Sequence, residues 1–243
     1  MPTIAHGPAT LHYDDEGQAD GFPVFLIAPG GMRSANDFWL RMPWNPRAEL
    51  ADGYRVIGMD QRNTGSSFAP VTGDESWATF AADQLAVLDH LGVERCHVIG
   101  MCIGGPYVAG LLKAAPNRFA SAVMLQPVGI DANTDTFNEM FDGWVNDVRA
   151  DHPEATDAMW ASFKRNMWSG EFLLTMTRDD VAACDNPLLV MMGNDIYHPQ
   201  STSREIAGLA PKVTFVERWK DDDVLAQTDA TIKRFLAQNT PTL

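Results

Sequence analysis

The sequence has few cysteines and few basic residues. Three of its 243 residues are cysteines, which is too few and an odd number for the disulfide framework of a small secreted domain. Its 18 lysines and arginines stand against 32 aspartates and glutamates, for a formal net charge of −14. Such a charge disfavours binding to nucleic-acid phosphates or anionic lipid surfaces. We therefore expect no nucleic-acid partner and a reducing compartment.

Long apolar runs and common ligand motifs are also missing. No window supplies the roughly 18 uncharged apolar residues of a membrane span, and the first residues lack the basic-then-apolar pattern of a signal peptide. Neither Gly-x-Gly-x-x-Gly nor Gly-x-x-x-x-Gly-Lys occurs, and no convincing metal-ligand cluster is visible. We predict a soluble cytoplasmic protein that has no membrane partner, uses no cofactor or metal, and acts on a small molecule.

The sequence does contain a regular alternation of strand and helix patterns. Short apolar runs that end in polar or glycine-containing turns predict buried strands at 23–28, 54–59, 96–100, 120–125, 186–193 and 212–216. Helical spacing of apolar residues predicts helices at 77–91, 106–115, 203–209 and 228–237. This alternation predicts an α/β fold with a mostly parallel sheet covered by helices on both faces.

One segment interrupts the alternation. Between residues 134 and 183, aromatic and methionine side chains recur at helical spacing without a strand between them. We predict a helical cap insertion there, with 1–133 and 184–243 forming the two parts of the sheet domain. Its aromatic residues either pack onto the main core, line a lid in which Trp144 and Trp168 contact the substrate, or form a homodimer interface.

The segment Gly100-Met101-Cys102-Ile103-Gly104-Gly105 lies between a predicted strand and a predicted helix. This is the context of a Gly-x-nucleophile-x-Gly turn, whose glycines allow a sharp bend that presents the middle side chain. Cys102 would stand at the positive end of the helix, which lowers a thiol pKa from about 8.5. We predict that the Ile103 N–H faces the same cavity and that Met101 contacts the substrate.

In order and spacing, these elements resemble the α/β-hydrolase fold over nearly the whole chain. The cysteine turn looks most like that of dienelactone hydrolases, and the polar loop 60–66 looks like that of haloperoxidases and proline iminopeptidases. The resemblance implies an α/β-hydrolase fold with a small helical cap. It also implies that Gly31 supplies a second oxyanion N–H beside Ile103, and that Asp195 after a late strand is the acid of a catalytic triad.

The triad histidine of that family is missing from its usual loop after the last strand. Residues 217–223 contain no histidine, and none follows His198. We predict that His198 takes its place, oriented by Asp195 or by one of Asp221, Asp222 and Asp223; the alternative is a loop histidine bonded to backbone. We expect structural roles for Arg62, Asn63, Cys96, Cys184 and the remaining histidines, His6, His12, His90, His97 and His152.

These residues favour one function and leave two alternatives open. We predict a cofactor-independent hydrolase of a small ester, lactone or related acyl compound, in which Cys102 forms a thioester acyl-enzyme. The alternatives are a lyase, isomerase or cyclase that moves protons in the same pocket, and a non-catalytic small-molecule binder. The missing late histidine keeps both alternatives open.

Overall fold

A single twisted sheet organises the chain. The computed structural model describes residues 2–242, which contain eight strands: β1 (Thr3–His6), β2 (Ala9–Gly17), β3 (Phe22–Ile27), β4 (Tyr54–Met59), β5 (Cys96–Met101), β6 (Phe119–Leu125), β7 (Leu188–Met191) and β8 (Val213–Val216). Their order across the sheet is β1-β2-β4-β3-β5-β6-β7-β8. Strands β3 to β8 run parallel, whereas β1 and β2 form an antiparallel edge.

Helices cover both faces of this sheet. They are α1 (Pro46–Glu49), α2 (Trp77–His90), α3 (Gly104–Ala114), α4 (Thr134–Val148), α5 (Asp157–Trp168), α6 (Arg178–Ala182), α7 (Gln200–Leu209) and α8 (Leu225–Asn239). Within residues 2–242, no helix combines the length and apolar character that crossing a bilayer requires.

Alternating side chains of the central strands supply two apolar layers. In β3, Phe25 and Ile27 join the layer that α2 and α3 cover, while Val24 and Leu26 join the layer beneath α8. Successive side chains of a strand point to opposite faces, so a strand covered on both sides is apolar at every position. This explains why the central strands appear in the sequence as continuous apolar runs.

Helix α2 has the boundaries that its sequence predicts. At its start, the Ser76 N–H donates to Thr79 Oγ1 over 3.1 Å as part of a capping box. At its end, Gly92 adopts a φ of +65°, and the Val93 N–H donates to the Leu88 carbonyl over 2.9 Å. Glycine adopts this left-handed conformation without steric cost, which explains why the helix ends before Gly92.

The segment between β6 and β7 contains α4, α5 and α6, and the first two carry an aromatic cluster. Trp144 packs edge-on against Phe141, Trp160 and Phe163, with ring centroids 5.3 to 5.7 Å apart. These rings are nearly or wholly buried and belong to the same apolar layer as α2 and α3. Of the three roles considered for these aromatic residues, the described contacts show packing onto the core.

Candidate active site

A sharp turn between β5 and α3 presents Cys102. Its φ is +61°, in the left-handed region that a residue with a Cβ rarely adopts. A Cβ at Gly100 would overlap the Gly104 carbonyl, and one at Gly104 would lie 2.7 Å from the Ile27 carbonyl oxygen. The two glycines therefore allow the close approach of strand and helix that holds Cys102 in this conformation.

Backbone hydrogen bonds fix Cys102 to the neighbouring strand. Its N–H donates to the Leu125 carbonyl over 3.0 Å, and its own carbonyl accepts from the N–H groups of Gly105 at 2.9 Å and Val128 at 3.0 Å. The residue remains partly exposed at the carboxyl ends of β5 and β6. In parallel α/β sheets, this end of the strands is where ligands bind.

The loop after β7 brings Asp195 and His198 together. Their backbones form two reciprocal hydrogen bonds, His198 N–H to the Asp195 carbonyl at 3.1 Å and the reverse bond at 3.3 Å. His198 Nδ1 lies 2.7 and 2.8 Å from the two carboxylate oxygens of Asp195. Nδ1 is thus engaged by the acid, and Nε2 is the nitrogen left for another group.

Cys102 and His198 shift each other's pKa in opposite directions. Burial would raise the thiol pKa, but hydrogen bonding and charge from His198, together with the backbone N–H groups of Gly30 and Ile103, lower it below the ordinary value. Burial would lower the pKa of His198, but Cys102 and then Asp195 raise it. Both directions favour a thiolate beside an imidazolium.

The Cys102 and His198 side chains influence each other's pKa without forming a regular hydrogen bond. His198 Nε2 is buried and has no partner that meets hydrogen-bond geometry, although Cys102 and the ring perturb each other as neighbours. Hydrogen bonds of catalytic groups are often long or poorly aligned in the absence of substrate. The pKa of Asp195 is below its ordinary value. Burial acts to raise it, but the His198 ring and the backbone N–H groups of Tyr197 and His198 outweigh burial.

The acidic residues after β8 have other partners. Arg218 Nε donates to Asp221 at 2.8 Å, and its guanidinium also binds Asp223. Among the described contacts, none of Asp221, Asp222 and Asp223 reaches His198, whereas Asp195 contacts it directly. Asp195 is therefore the carboxylate that orients the ring in this structure.

The glycine turn after β3 also acts on the Cys102 thiol. Gly30 and Gly31 have φ values of +121° and +60°, and the turn closes through the Ser34 N–H, which donates to the Gly31 carbonyl over 3.2 Å. The N–H that acts on the Cys102 thiol is that of Gly30, one residue before the predicted Gly31. A Cβ at Gly31 would overlap Met140 Sδ, so α4 packs directly on this turn.

The three residues predicted to contact the substrate lie in different parts of the fold. Met101 is fully buried in the layer beneath α8, on the face of the sheet away from α4 and α5. Trp168 stacks on Phe137 at 4.8 Å, and Phe137 meets Tyr197 of the Asp195–His198 loop at 5.9 Å. Trp144 borders an open cleft of about 790 Å³ between α4 and the loop that follows β4.

The other predicted structural residues lie in packing or hydrogen-bonding roles. Arg62 forms two hydrogen bonds of 2.7 and 2.8 Å to buried Asp83, and Asn63 Oδ1 accepts from the Ala69 N–H over 2.7 Å. Burial raises the pKa of Cys96 to about 12 and also raises that of Cys184. High pKa values keep these two thiols protonated and unreactive, in contrast to Cys102.

Four further histidines have partners within the fold or at its surface. The contacts are His12 Nδ1 with Asp60 at 3.1 Å, His152 Nδ1 with Glu154 at 3.1 Å, His90 Nε2 with Tyr13 at 3.4 Å and His6 Nε2 with Asp83 at 4.0 Å. Among residues 2–242, no group of three potential ligands is placed to hold a metal ion.

A sharp glycine-flanked turn after β5, a carboxylate after β7 and a helical segment between β6 and β7 are arranged on a mostly parallel sheet in an order typical of one class of α/β folds. The family model of the alpha/beta hydrolase fold matches residues 23–171, more than half of the sequence. The chain belongs to the α/β-hydrolase fold family, which confirms the predicted fold class.

Individual relatives cover parts of the chain. It is 37% identical over 117 residues to a putative carbamate hydrolase RutD of Variovorax paradoxus, a match covering 47% of this chain and 41% of that protein. It is 33% identical over 177 residues to a non-heme chloroperoxidase of Streptomyces lividans, covering 71% of this chain and 60% of the relative. The chain thus spans about two fifths to three fifths of the length of these relatives.

A solved structure matches over a longer stretch. The enol-lactonase of Burkholderia xenovorans LB400 superposes with a TM-score of 0.73, covering 97% of this chain and all of that one, at 18% identity. At this identity the likeness shows the fold alone.

Proposed function

We propose that this protein is a cofactor-independent hydrolase of small esters, lactones or related acyl compounds, with Cys102 as the nucleophile. The observation that carries the proposal is the Asp195–His198 hydrogen bond next to Cys102, where the thiol pKa is lowered and the imidazole pKa is raised. A thiolate is the reactive form of cysteine, so this pairing supplies a nucleophile near neutral pH.

In the first half of the reaction, the Cys102 thiolate attacks the acyl carbon and forms a C–S bond. The carbonyl oxygen becomes an oxyanion, held by the backbone N–H of Ile103 and by the glycine turn, with Gly31 as the expected second donor. Collapse of this intermediate breaks the bond to the leaving oxygen, which takes the proton of the His198 imidazolium. A thioester remains on Cys102, and His198 is neutral.

In the second half, water attacks the thioester carbon while His198 accepts its proton. The C–S bond breaks, the acid is released, and the thiolate–imidazolium pair is restored. Asp195 fixes the ring tautomer by accepting from Nδ1, so that Nε2 exchanges the proton in both steps. No oxidant, reductant or metal enters either half.

The substrate class rests on the relatives and on the turn. The names carbamate hydrolase and enol-lactonase both describe attack on an acyl carbon bonded to a heteroatom. A cysteine in the nucleophile turn resembles the dienelactone hydrolases, which favours lactones and esters among the possible acyl substrates. In the proposed arrangement, the base comes from the loop after β7, instead of the loop after β8 that the family normally uses.

The test is the pH dependence of iodoacetamide alkylation, with the modified sites mapped by mass spectrometry. In wild type, Cys102 should alkylate with an apparent pKa below that of an ordinary thiol. In His198→Ala the apparent pKa should rise, because burial is then opposed only by the backbone N–H groups of Gly30 and Ile103. Asp195→Asn should give an intermediate value, and His90→Ala, at an exposed helix end, should match wild type.

A panel of nitrophenyl esters and small lactones then tests turnover. A burst of nitrophenol and an acyl adduct on Cys102 are expected, and Cys102→Ala should lose both. An ordinary thiol pKa at Cys102, unchanged by His198→Ala, would refute the proposal. Turnover that survives Cys102→Ser without an adduct would instead support proton-transfer chemistry, and ligand-induced stabilisation without turnover would support a binder.

A further inference from the structure

Lys220 is a half-buried cation without a carboxylate partner. Its Nζ donates to Gln126 Oε1 over 2.8 Å, and among the described residues no carboxylate oxygen lies within the 4.0 Å of an ion pair. The acidic neighbours Asp221 and Asp223 bind Arg218 instead. In a chain with 32 acidic and 18 basic residues, a partly buried lysine that binds a neutral amide is an unusual arrangement.

Gln126 lies one strand away from the proposed nucleophile. Met101 and Leu125 are paired in the register of β5 and β6, so Cys102 and Gln126 are the next residues along the two strands. Neighbouring strands are about 4.8 Å apart. The Gln126 N–H donates to the Met191 carbonyl over 2.8 Å, and its φ of +40° holds it in the left-handed region. The Lys220–Gln126 pair therefore stands at the same sheet edge as the thiol.

Lys220 lies in the loop that, in the family, normally carries the triad histidine. Lys220 follows β8, where related hydrolases carry the triad histidine, and the base here comes from the loop after β7. Buried Trp219 anchors the segment, since its indole N–H donates to the Met192 carbonyl over 3.0 Å. The loop thus places an ammonium group on Gln126, the neighbour of Cys102 across β5 and β6.

We propose that Lys220 and Gln126 form an anion subsite that binds a carboxylate of the substrate, so that the preferred substrates are esters or lactones carrying a free carboxylate. One carboxylate oxygen accepts from Lys220 Nζ, and the other accepts from the Gln126 side-chain amide. This inference rests on the proposed function for the bond that is broken. The net charge of −14 repels anions from the protein at large, so an anionic substrate needs a local cation of this kind.

The first experiment compares two alkylating reagents of similar size at Cys102, iodoacetate and iodoacetamide, which differ in charge. Wild type should favour iodoacetate relative to free cysteine under the same conditions, and Lys220→Met should lower the iodoacetate-to-iodoacetamide rate ratio about tenfold. Lys220→Arg should retain most of the ratio. Lys212→Met, which removes the same charge at the amino end of β8, should leave it unchanged.

The second experiment measures binding without any reaction at the thiol. Glutarate and its neutral diamide are titrated by calorimetry into wild type, Lys220→Met and Lys212→Met. Glutarate should bind wild type, lose about tenfold in affinity in Lys220→Met, and bind Lys212→Met normally, whereas the diamide should bind weakly to all three. Thermal melts check that each variant is folded.

The two proposals fail in distinguishable ways. The subsite is overturned, and the hydrolase proposal stands, if Cys102 is reactive with a low pKa but shows no preference for iodoacetate. The same conclusion follows if the preference for iodoacetate survives Lys220→Met. An unreactive Cys102 overturns the cysteine mechanism, and the glutarate titration then decides the subsite alone. The subsite is also overturned if glutarate and the diamide bind wild type equally, or if Lys220→Met and Lys212→Met lose the same affinity for glutarate.

Discussion

Acid should destabilise this fold through one buried histidine, His97 in β5. The ring is wholly buried, with Nδ1 2.8 Å from Ser121 Oγ and Nε2 2.9 Å from Thr240 Oγ1. Burial, followed by the nearby charge of Arg95, lowers its pKa from 6.5 to about 4. Two hydroxyl groups satisfy a neutral ring, because each can donate or accept, but neither supplies a charge to balance an imidazolium.

The direction and size of the effect follow from the two pKa values of His97. The unfolded chain binds the proton near pH 6.5, whereas the folded chain resists it down to about pH 4. Stability is therefore fully present above pH 6.5 and falls as the pH drops from 6.5 towards 4. At 1.36 kcal/mol per pKa unit, the whole loss is about 3 kcal/mol, of which about 2.5 kcal/mol has occurred by pH 4.5.

Urea denaturation followed by tryptophan fluorescence tests this prediction in wild type, His97→Gln and His90→Gln. His97→Gln should cost stability at pH 7.5, but its deficit relative to wild type should shrink by about 2.5 kcal/mol at pH 4.5. His90→Gln removes an imidazole from an exposed position and is the matched control. A deficit for His97→Gln that stays constant over this pH range would refute the reasoning.

Two further predictions concern the buried ion pair of Arg62 with Asp83 and the packing of Met140 on Gly31. Arg62→Leu leaves the buried Asp83 carboxylate without its cation and should cost about 3–5 kcal/mol in urea denaturation. Arg62→Leu combined with Asp83→Leu should recover most of this loss, and a double variant as unstable as the sum of the singles would contradict it. Gly31→Ala should cost about 1–2 kcal/mol for its positive φ, and more for overlap with Met140. When combined with Gly31→Ala, Met140→Ala should relieve the overlap but not the cost of the positive φ. If the losses of stability from the two substitutions were strictly additive, the contact between Gly31 and Met140 would be contradicted.

The parallel part of the sheet was predictable because each of its strands is an apolar run that local sequence reveals. The segment 54–59 was predicted as a strand and is β4, and 120–125 lies within β6. The antiparallel edge was not predicted, since β2 ends in the polar run Asp14-Asp15-Glu16-Gly17. Those acids are held in the sheet by Arg47 and Arg55, whose bonds span 31 and 40 residues.

Those residues of the proposed site whose positions follow from the order of strands and helices were predictable from the sequence. Those brought together by contacts between distant loops were not. The family order of elements pointed to Cys102 and Asp195, and the placement of His198 followed from its spacing. The contact between Lys220 and Gln126 joins residues 94 apart and leaves no periodic signal. Met101 was predicted to contact the substrate, whereas strand alternation places it on the buried face that Ile99 shares.

The pairing of Asp195 with His198 makes two thirds of the proposed triad a local property of the chain. Four consecutive residues contain both groups, and their reciprocal backbone hydrogen bonds close the turn, to which Asn133 Nδ2 adds one bond on the Ile196 carbonyl over 2.7 Å. In the family arrangement, acid and base lie on separate loops and must be aligned by the whole sheet. Here the proposed acid and base lie on a single short loop, so exchanging that loop would move both between related folds and leave the segment after β8 available for another role, such as the one proposed for Lys220.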